Sequence, residues 1–91
     1  MPAIPAKTFS IPISSSPVEG DVILIADSNN YVYLAQITNG EWMLTSSQEL
    51  SFSSVPVYAD GVVTFAVRYV GGIAPTKACF VPGPNHSGGE L

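Results

Sequence analysis

The chain is predicted to be all-β, a small antiparallel barrel or two-layer roll of six to seven short strands. Three observations predict it. No window sustains helical apolar spacing over about ten residues, whereas short runs of Val, Ile, Tyr, Phe and Thr recur. Two turn pairs, Asn39-Gly40 and Asp60-Gly61, stand between such runs, and a type I′ hairpin turn needs positive φ at both central residues. Apolar residues make up 46% of the chain, but only three basic and seven acidic residues are found among 91. Soluble domains usually carry about 25% charged residues. Hydroxyls, Asn, Gly and aromatics must therefore clothe the surface, which suits a module whose work is contact.

Residues 1–17 hold Pro2, Pro5, Pro12, Pro17 and a serine run, Ser14-Ser15-Ser16. Proline fixes φ and donates no hydrogen bond, so this stretch is expected to be an extended, flexible arm with at most one edge strand, Thr8 to Ile13. A single β domain is expected over 18–81. Val22 to Ala26 is continuously apolar, as in a strand covered on both faces. Tyr31 to Ile37 and Glu41 to Thr45 follow as second and third strands. A two-residue loop at Asn39-Gly40 sets Thr38 opposite Glu41, Ile37 opposite Trp42 and Ala35 opposite Leu44. A two-residue loop at Asn29-Asn30 would set Ala26 opposite Tyr33, Leu24 opposite Ala35 and Val22 opposite Ile37. One face then carries Val22, Leu24 and Ala26 with Tyr33, Ala35, Ile37, Trp42 and Leu44. Ile23, Ile25, Val32, Leu34, Gln36 and Met43 fall on the other. Both faces are apolar, so the meander must be sandwiched, curled or set against another subunit.

Ser46 and Glu49 have capping-box spacing, enough for one helical turn over 46–51. Phe52 to Tyr58 is extended again, with Pro56 confining it to an edge or a bulge. A tight turn at Asp60-Gly61 sets Ala59 opposite Val62 and Tyr58 opposite Val63. In the strand Val62 to Val70, residues Val63, Phe65, Val67 and Tyr69 share one face, and Thr64 and Arg68 lie on the other. Gly71-Gly72 ends it, and Ile73 to Val81 is a last strand interrupted at Pro75. The tail, 82–91, is rich in Gly and Pro and is expected to be flexible.

Composition excludes several functions. Lys7, Arg68 and Lys77 are too few to neutralise a row of phosphates, so no nucleic acid partner is expected. The acids are scattered singly, which also argues against an acidic mimic of DNA. No apolar run approaches the ~18 residues of a membrane span, so no membrane partner is expected. The N-terminus lacks a signal-peptide pattern, which points to an intracellular product, and Asn85-His86-Ser87 would be glycosylated only on a secretory route. Cys79 is single, allows no intrachain disulfide and reads as a small buried hydrophobe.

No catalytic residues, cofactor or metal site are expected. His86, the one histidine, lies in the Gly/Pro tail far from any rigid strand, and a nucleophilic triad would depend on it. Asp27-Ser28-Asn29-Asn30 resembles half of a calcium loop but is explained more simply as a hairpin turn. Candidate binding residues are Tyr31, Trp42, Tyr58, Arg68 and Tyr69, most of them of the type enriched at binding hot spots. Tyr33 and Trp42 read mainly as core residues with polar tips at the edge, and Tyr31 and Tyr58, beside turns, as better placed for outward display.

Phe9-Ser10-Ile11, Pro17, Gly20, Val22-Ile23-Leu24-Ile25, Val32 to Ile37 and Gly40-Glu41-Trp42 together resemble a phage and prophage family of short proteins of unknown function. The family is built on Pro-x-x-Gly, a hydrophobic strand and a Gly-x-Trp hairpin, and the resemblance covers residues 9–42. Phe9 stands where the family has Trp, and its closing Trp-Met-Pro-Leu-Pro stretch is not evident. The resemblance implies a mobile-element origin and a β-meander, and no activity.

The leading expectation is a non-catalytic, phage-type accessory protein that binds a protein target in the host cytoplasm as an inhibitor of host defence, in the manner of an anti-CRISPR. The alternative is a virion decoration or assembly protein, and a further one is a nucleotide sponge using Arg68 and a lysine. Homo-oligomerisation is expected in either leading case, since exposed apolar patches above a few hundred Å² are seldom left bare.

Overall fold

The computed structural model describes residues 6–44, 50–70 and 74–86. Seven strands form two antiparallel sheets: β1 (Ala6–Pro12), β2 (Val22–Asp27), β3 (Val32–Thr38), β4 (Glu41–Leu44), β5 (Leu50–Ala59), β6 (Val62–Tyr69) and β7 (Pro75–Val81). One sheet is three-stranded, in the order β1-β6-β5, and the other four-stranded, in the order β4-β3-β2-β7. They stack as a two-layer roll, with β1 beside β7 and β4 beside β5, and do not close into a barrel. Among the described residues no helix is long and apolar enough to cross a membrane.

The core lies between the two inner faces. Ile23 and Ile25 of β2 and Ala35 of β3 meet Val63, Phe65 and Val67 of β6, all of them almost fully buried. Phe65 is the central side chain: Phe9 of β1 lies 5.5 Å from its ring and Phe52 of β5 packs edge-on at 5.9 Å. Offset and edge-on aromatic pairs add to the area they bury. The strict alternation Val63, Phe65, Val67 follows the period of two expected of a half-buried strand.

Both Asx-Gly turns form as expected. Asn39 and Gly40 have φ of 54° and 80°, and Asp60 and Gly61 have 53° and 79°. The registers follow: Thr38 pairs with Glu41 and Ile37 with Trp42, and Ala59 pairs with Val62 and Tyr58 with Val63. Strand β5 is an edge, and its register shifts between Phe52 and Val57, where Pro56 sits in the irregular stretch. The helical turn expected over 46–51 falls outside the described residues up to 49, and Leu50 and Ser51 already belong to β5; the break at Gly71-Gly72 also lies outside the described residues.

The turn between β2 and β3 departs from expectation. Ile25 pairs with Tyr33, Leu24 with Leu34 and Ile23 with Ala35, one residue away from the register of a two-residue loop. Asp27 is the cause. Its backbone N–H donates to the Tyr31 carbonyl at 3.0 Å, and its carboxylate Oδ1 accepts from the N–H groups of Asn29 (2.8 Å) and Tyr31 (3.0 Å). Asn30 takes a φ of 64°, which completes a three-residue loop over Ser28, Asn29 and Asn30. A one-residue slip exchanges the faces of a strand. Ile23, Ile25 and Asp27 therefore point inward, and Val22, Leu24 and Ala26 point outward.

The arm and the tail both take part in the fold. Ala6 to Pro12 pair residue for residue with Arg68 to Val62, making β1 an edge strand. Residues 82–86 turn back from β7 over the Gly20-Asp21 peptide. A Cβ on Gly83 would stand 2.5 Å from the Gly20 carbonyl oxygen, so only glycine fits this crossing. Cys79 is exposed, against the expectation of burial, because it pairs with Leu24 and shares its outward face.

Candidate functional site

Three places in the fold bring functional side chains together. The first is a cleft of about 240 Å³ at the seam between edge strands β4 and β5. Trp42 and Tyr58 face it from opposite sheets, with Pro17, Pro56, Ser16 and Gly40 around its rim. Its geometry is held from the loop before β2. The Glu19 carboxylate accepts two hydrogen bonds from the β3–β4 turn, from the N–H of Asn39 at 2.6 Å and of Gly40 at 3.0 Å. A carboxylate that takes two backbone N–H groups fixes the turn more firmly than neutral contacts do. Trp42 and Tyr58 are both half-buried and pack against the core, so Tyr58 points inward rather than outward as its place beside a turn suggested.

The remaining expected binding residues do not join this cleft. Tyr31 is 67% exposed at the far end of the four-stranded sheet, its ring 5.5 Å edge-on to Tyr33, whose hydroxyl donates to Asp27. Arg68 stands exposed on the outer face of the three-stranded sheet, and Tyr69 packs at the core margin opposite Leu50. Arg68 lines neither of the two cavities described. The five residues therefore belong to four places, and only Trp42 and Tyr58 meet.

The second place is a buried polar relay. Asp21 is wholly buried, and its carboxylate accepts from the N–H of Val18 at 2.8 Å, the N–H of Gly83 at 2.7 Å and His86 Nδ1 at 2.6 Å. On the other side of the ring, Nε2 lies 2.8 Å from the Ser15 hydroxyl. The ring of Phe80 packs across the imidazole at 5.7 Å. The expectation that His86 lies far from any rigid strand does not hold. Its neighbours are three and six residues upstream or more than sixty away, so no local pattern in the sequence announces them.

The order Ser15, His86, Asp21 is that of a nucleophilic triad. In such a triad the ring must pass a proton to a leaving group, so a substrate has to reach Nε2. Here only 1% of the imidazole side chain is exposed. What the relay does in this conformation is fasten: it ties the loop after β1, the entry to β2 and the segment after β7 at one point. Every buried polar side-chain atom among the described residues has a partner, as a stable polar cluster requires.

The third place is the outer face of the four-stranded sheet. Leu24, Ala26, Val32 and Cys79 line a shallow apolar dent of about 200 Å³ there, with Lys77 at its border. Val32 is 57% exposed and Met43 54%, high values for apolar side chains within strands. No cluster of His, Cys, Asp or Glu able to hold a metal ion occurs among the described residues. Comparison with models of known protein families, with curated proteins and with solved structures returns no match.

Proposed function

We propose that this chain is a protein-binding module that acts by contact rather than by catalysis, and that it takes an extended segment of its target into the Trp42–Tyr58 cleft. The observation that carries this reading is the cleft itself, where two aromatic side chains from different sheets meet beside an edge strand. An edge strand offers unpaired backbone groups to an incoming strand, and flanking pockets read its alternate side chains. Aromatic anchors held in place by their own packing lose little freedom on binding. In its finer form the proposal makes the target a host protein or complex that a phage-type accessory protein occludes. For the virion decoration or assembly alternative, residues 6–12 of the N-terminal arm are already paired with β6 of the same chain.

The test is affinity capture from host lysate followed by titration of an extended peptide from the captured protein. Tyr58→Ala should weaken peptide binding at least tenfold, while Tyr31→Ala, at the far end of the sheet, should leave it unchanged. Equal binding by wild type and Tyr58→Ala would overturn the assignment.

A further inference from the structure

We infer that the outer face of the four-stranded sheet is covered by a second copy of this chain, in a two-fold dimer with Met43 of each copy seated in the dent of the other. This goes beyond the cleft reading and involves different residues.

The face is apolar along β2 and carries one amide on β3. Leu24 lies between Leu34 and Cys79, and Val22 between Gln36 and Val81, with Met43 of β4 beyond Gln36. Leu34 is 37% and Val81 40% exposed in the single chain. Four strands about 4.8 Å apart and about 20 Å long give a face on the order of 300–400 Å². A patch of that size on a monomer commonly marks a contact surface. It is about half of what a standard interface buries per partner, so the association should be weak, in the micromolar range.

The occupant follows from how charge and shape are distributed. Among the described residues, Glu41 and Lys77 are the charged groups on this face, and they stand at diagonally opposite corners. Glu41 is on edge strand β4 level with Thr38, and Lys77 is on edge strand β7 level with Ala26 and Val32. A two-fold axis in the plane of contact, perpendicular to that diagonal, exchanges the corners. Glu41 of each copy then meets Lys77 of the other.

The same operation acts on shape. Met43 projects beside the Glu41 corner, and the dent lies beside the Lys77 corner, so the exchange carries the knob of one copy to the dent of the other. A flexible thioether side chain suits an irregular apolar hollow. The strands of the two copies cross steeply in this arrangement, within the range of orthogonal sheet packing. A surface that is complementary to itself in both charge and shape under one rotation is what an isologous dimer requires.

Sedimentation equilibrium of the intact chain across the micromolar range tests this. Wild type should show a reversible monomer–dimer equilibrium. Leu34→Glu and Met43→Glu should be monomeric, with melting curves checked to confirm folding. The corner variants Glu41→Lys and Lys77→Glu lie at exposed positions and should not disturb the fold. Each should weaken the dimer about five- to tenfold, by turning two exposed attractions into repulsions. The double variant Glu41→Lys/Lys77→Glu should return to near the wild-type value. A strictly monomeric wild type, a trimer or larger ring, a dimer that survives both Leu34→Glu and Met43→Glu, or a double variant weaker than either single one would each overturn the inference.

Discussion

The two sheets present different characters to the outside. Across the three-stranded sheet the outward positions include Thr8 and Ser10 on β1, Thr64, Ala66 and Arg68 on β6, and Ser54 and Val57 on β5, Val57 being 58% exposed. Across the four-stranded sheet they are Val22, Leu24, Val32, Leu34, Met43 and Cys79, with Gln36 and Thr38 on β3 and Glu41 and Lys77 on the edge strands. Inward, both sheets press the same apolar core. The hydroxyls of the first sheet give water its usual partners without using charge, which is how a chain with so few ionised groups can be clothed on one side. On the other side polar groups are confined to β3 and the edges, Gln36, Thr38, Glu41 and Lys77, and β2 has none facing out. An antiparallel sheet with one solvated face normally alternates apolar and polar residues, and β2 is apolar at every position from Val22 to Ala26. The lesson is that hydroxyls are not spread evenly over this molecule: they stand outward along β1 and β6 of one sheet, and β2 of the other offers none.

The contrast between the faces depends on the four-stranded sheet keeping its end closed, and the Asp21 cluster does that closing. His86→Ala removes one of three donors to a wholly buried carboxylate. The expected loss is about 1–3 kcal/mol, the usual cost of a deprived buried polar group. Denaturant unfolding measures it, and amide exchange should show the loss centred on residues 82–86 and the start of β2 rather than on β6. A loss below about 0.3 kcal/mol would mean that the relay fastens nothing.

A smaller effect sharpens the contrast by exchanging character between the faces. Leu34→Thr on the apolar face and Thr64→Leu on the hydroxyl face each change an outward side chain in a central strand, so stability should move by no more than about 0.5 kcal/mol. Binding of a hydrophobic dye should respond in opposite directions, falling with Leu34→Thr and rising with Thr64→Leu. The same response from both variants would dissolve the distinction between the faces.

Much of the fold was legible because it rests on local rules. Asn39-Gly40 and Asp60-Gly61 each announce a turn that only positive φ can make, and counting outward from them gives the pairing of β3 with β4 and of β5 with β6. Ser28-Asn29-Asn30 announces a turn but not its length. That length is set by the Asp27 side chain reaching forward to two N–H groups, and by Asn30 adopting the left-handed region, neither of which spacing reveals. One residue of error there reverses β2 relative to β3, so the expected grouping of Val22, Leu24 and Ala26 with Tyr33, Ala35 and Ile37 does not form. Trp42 and Tyr58 could be singled out by type, but their meeting depends on how the sheets stack. Ser15, Asp21 and His86 had no local sign at all, since a loop, a strand entry and a returning tail converge only in three dimensions.

The most direct measurement uses the chain's single cysteine as a reporter of the bare face. Cys79 is exposed in one copy and lies within the surface that a second copy should cover. Its alkylation rate by a small maleimide, followed as protein concentration rises through the micromolar range, should fall as the dimer forms and recover in Leu34→Glu. A rate that stays the same at every concentration would contradict the account.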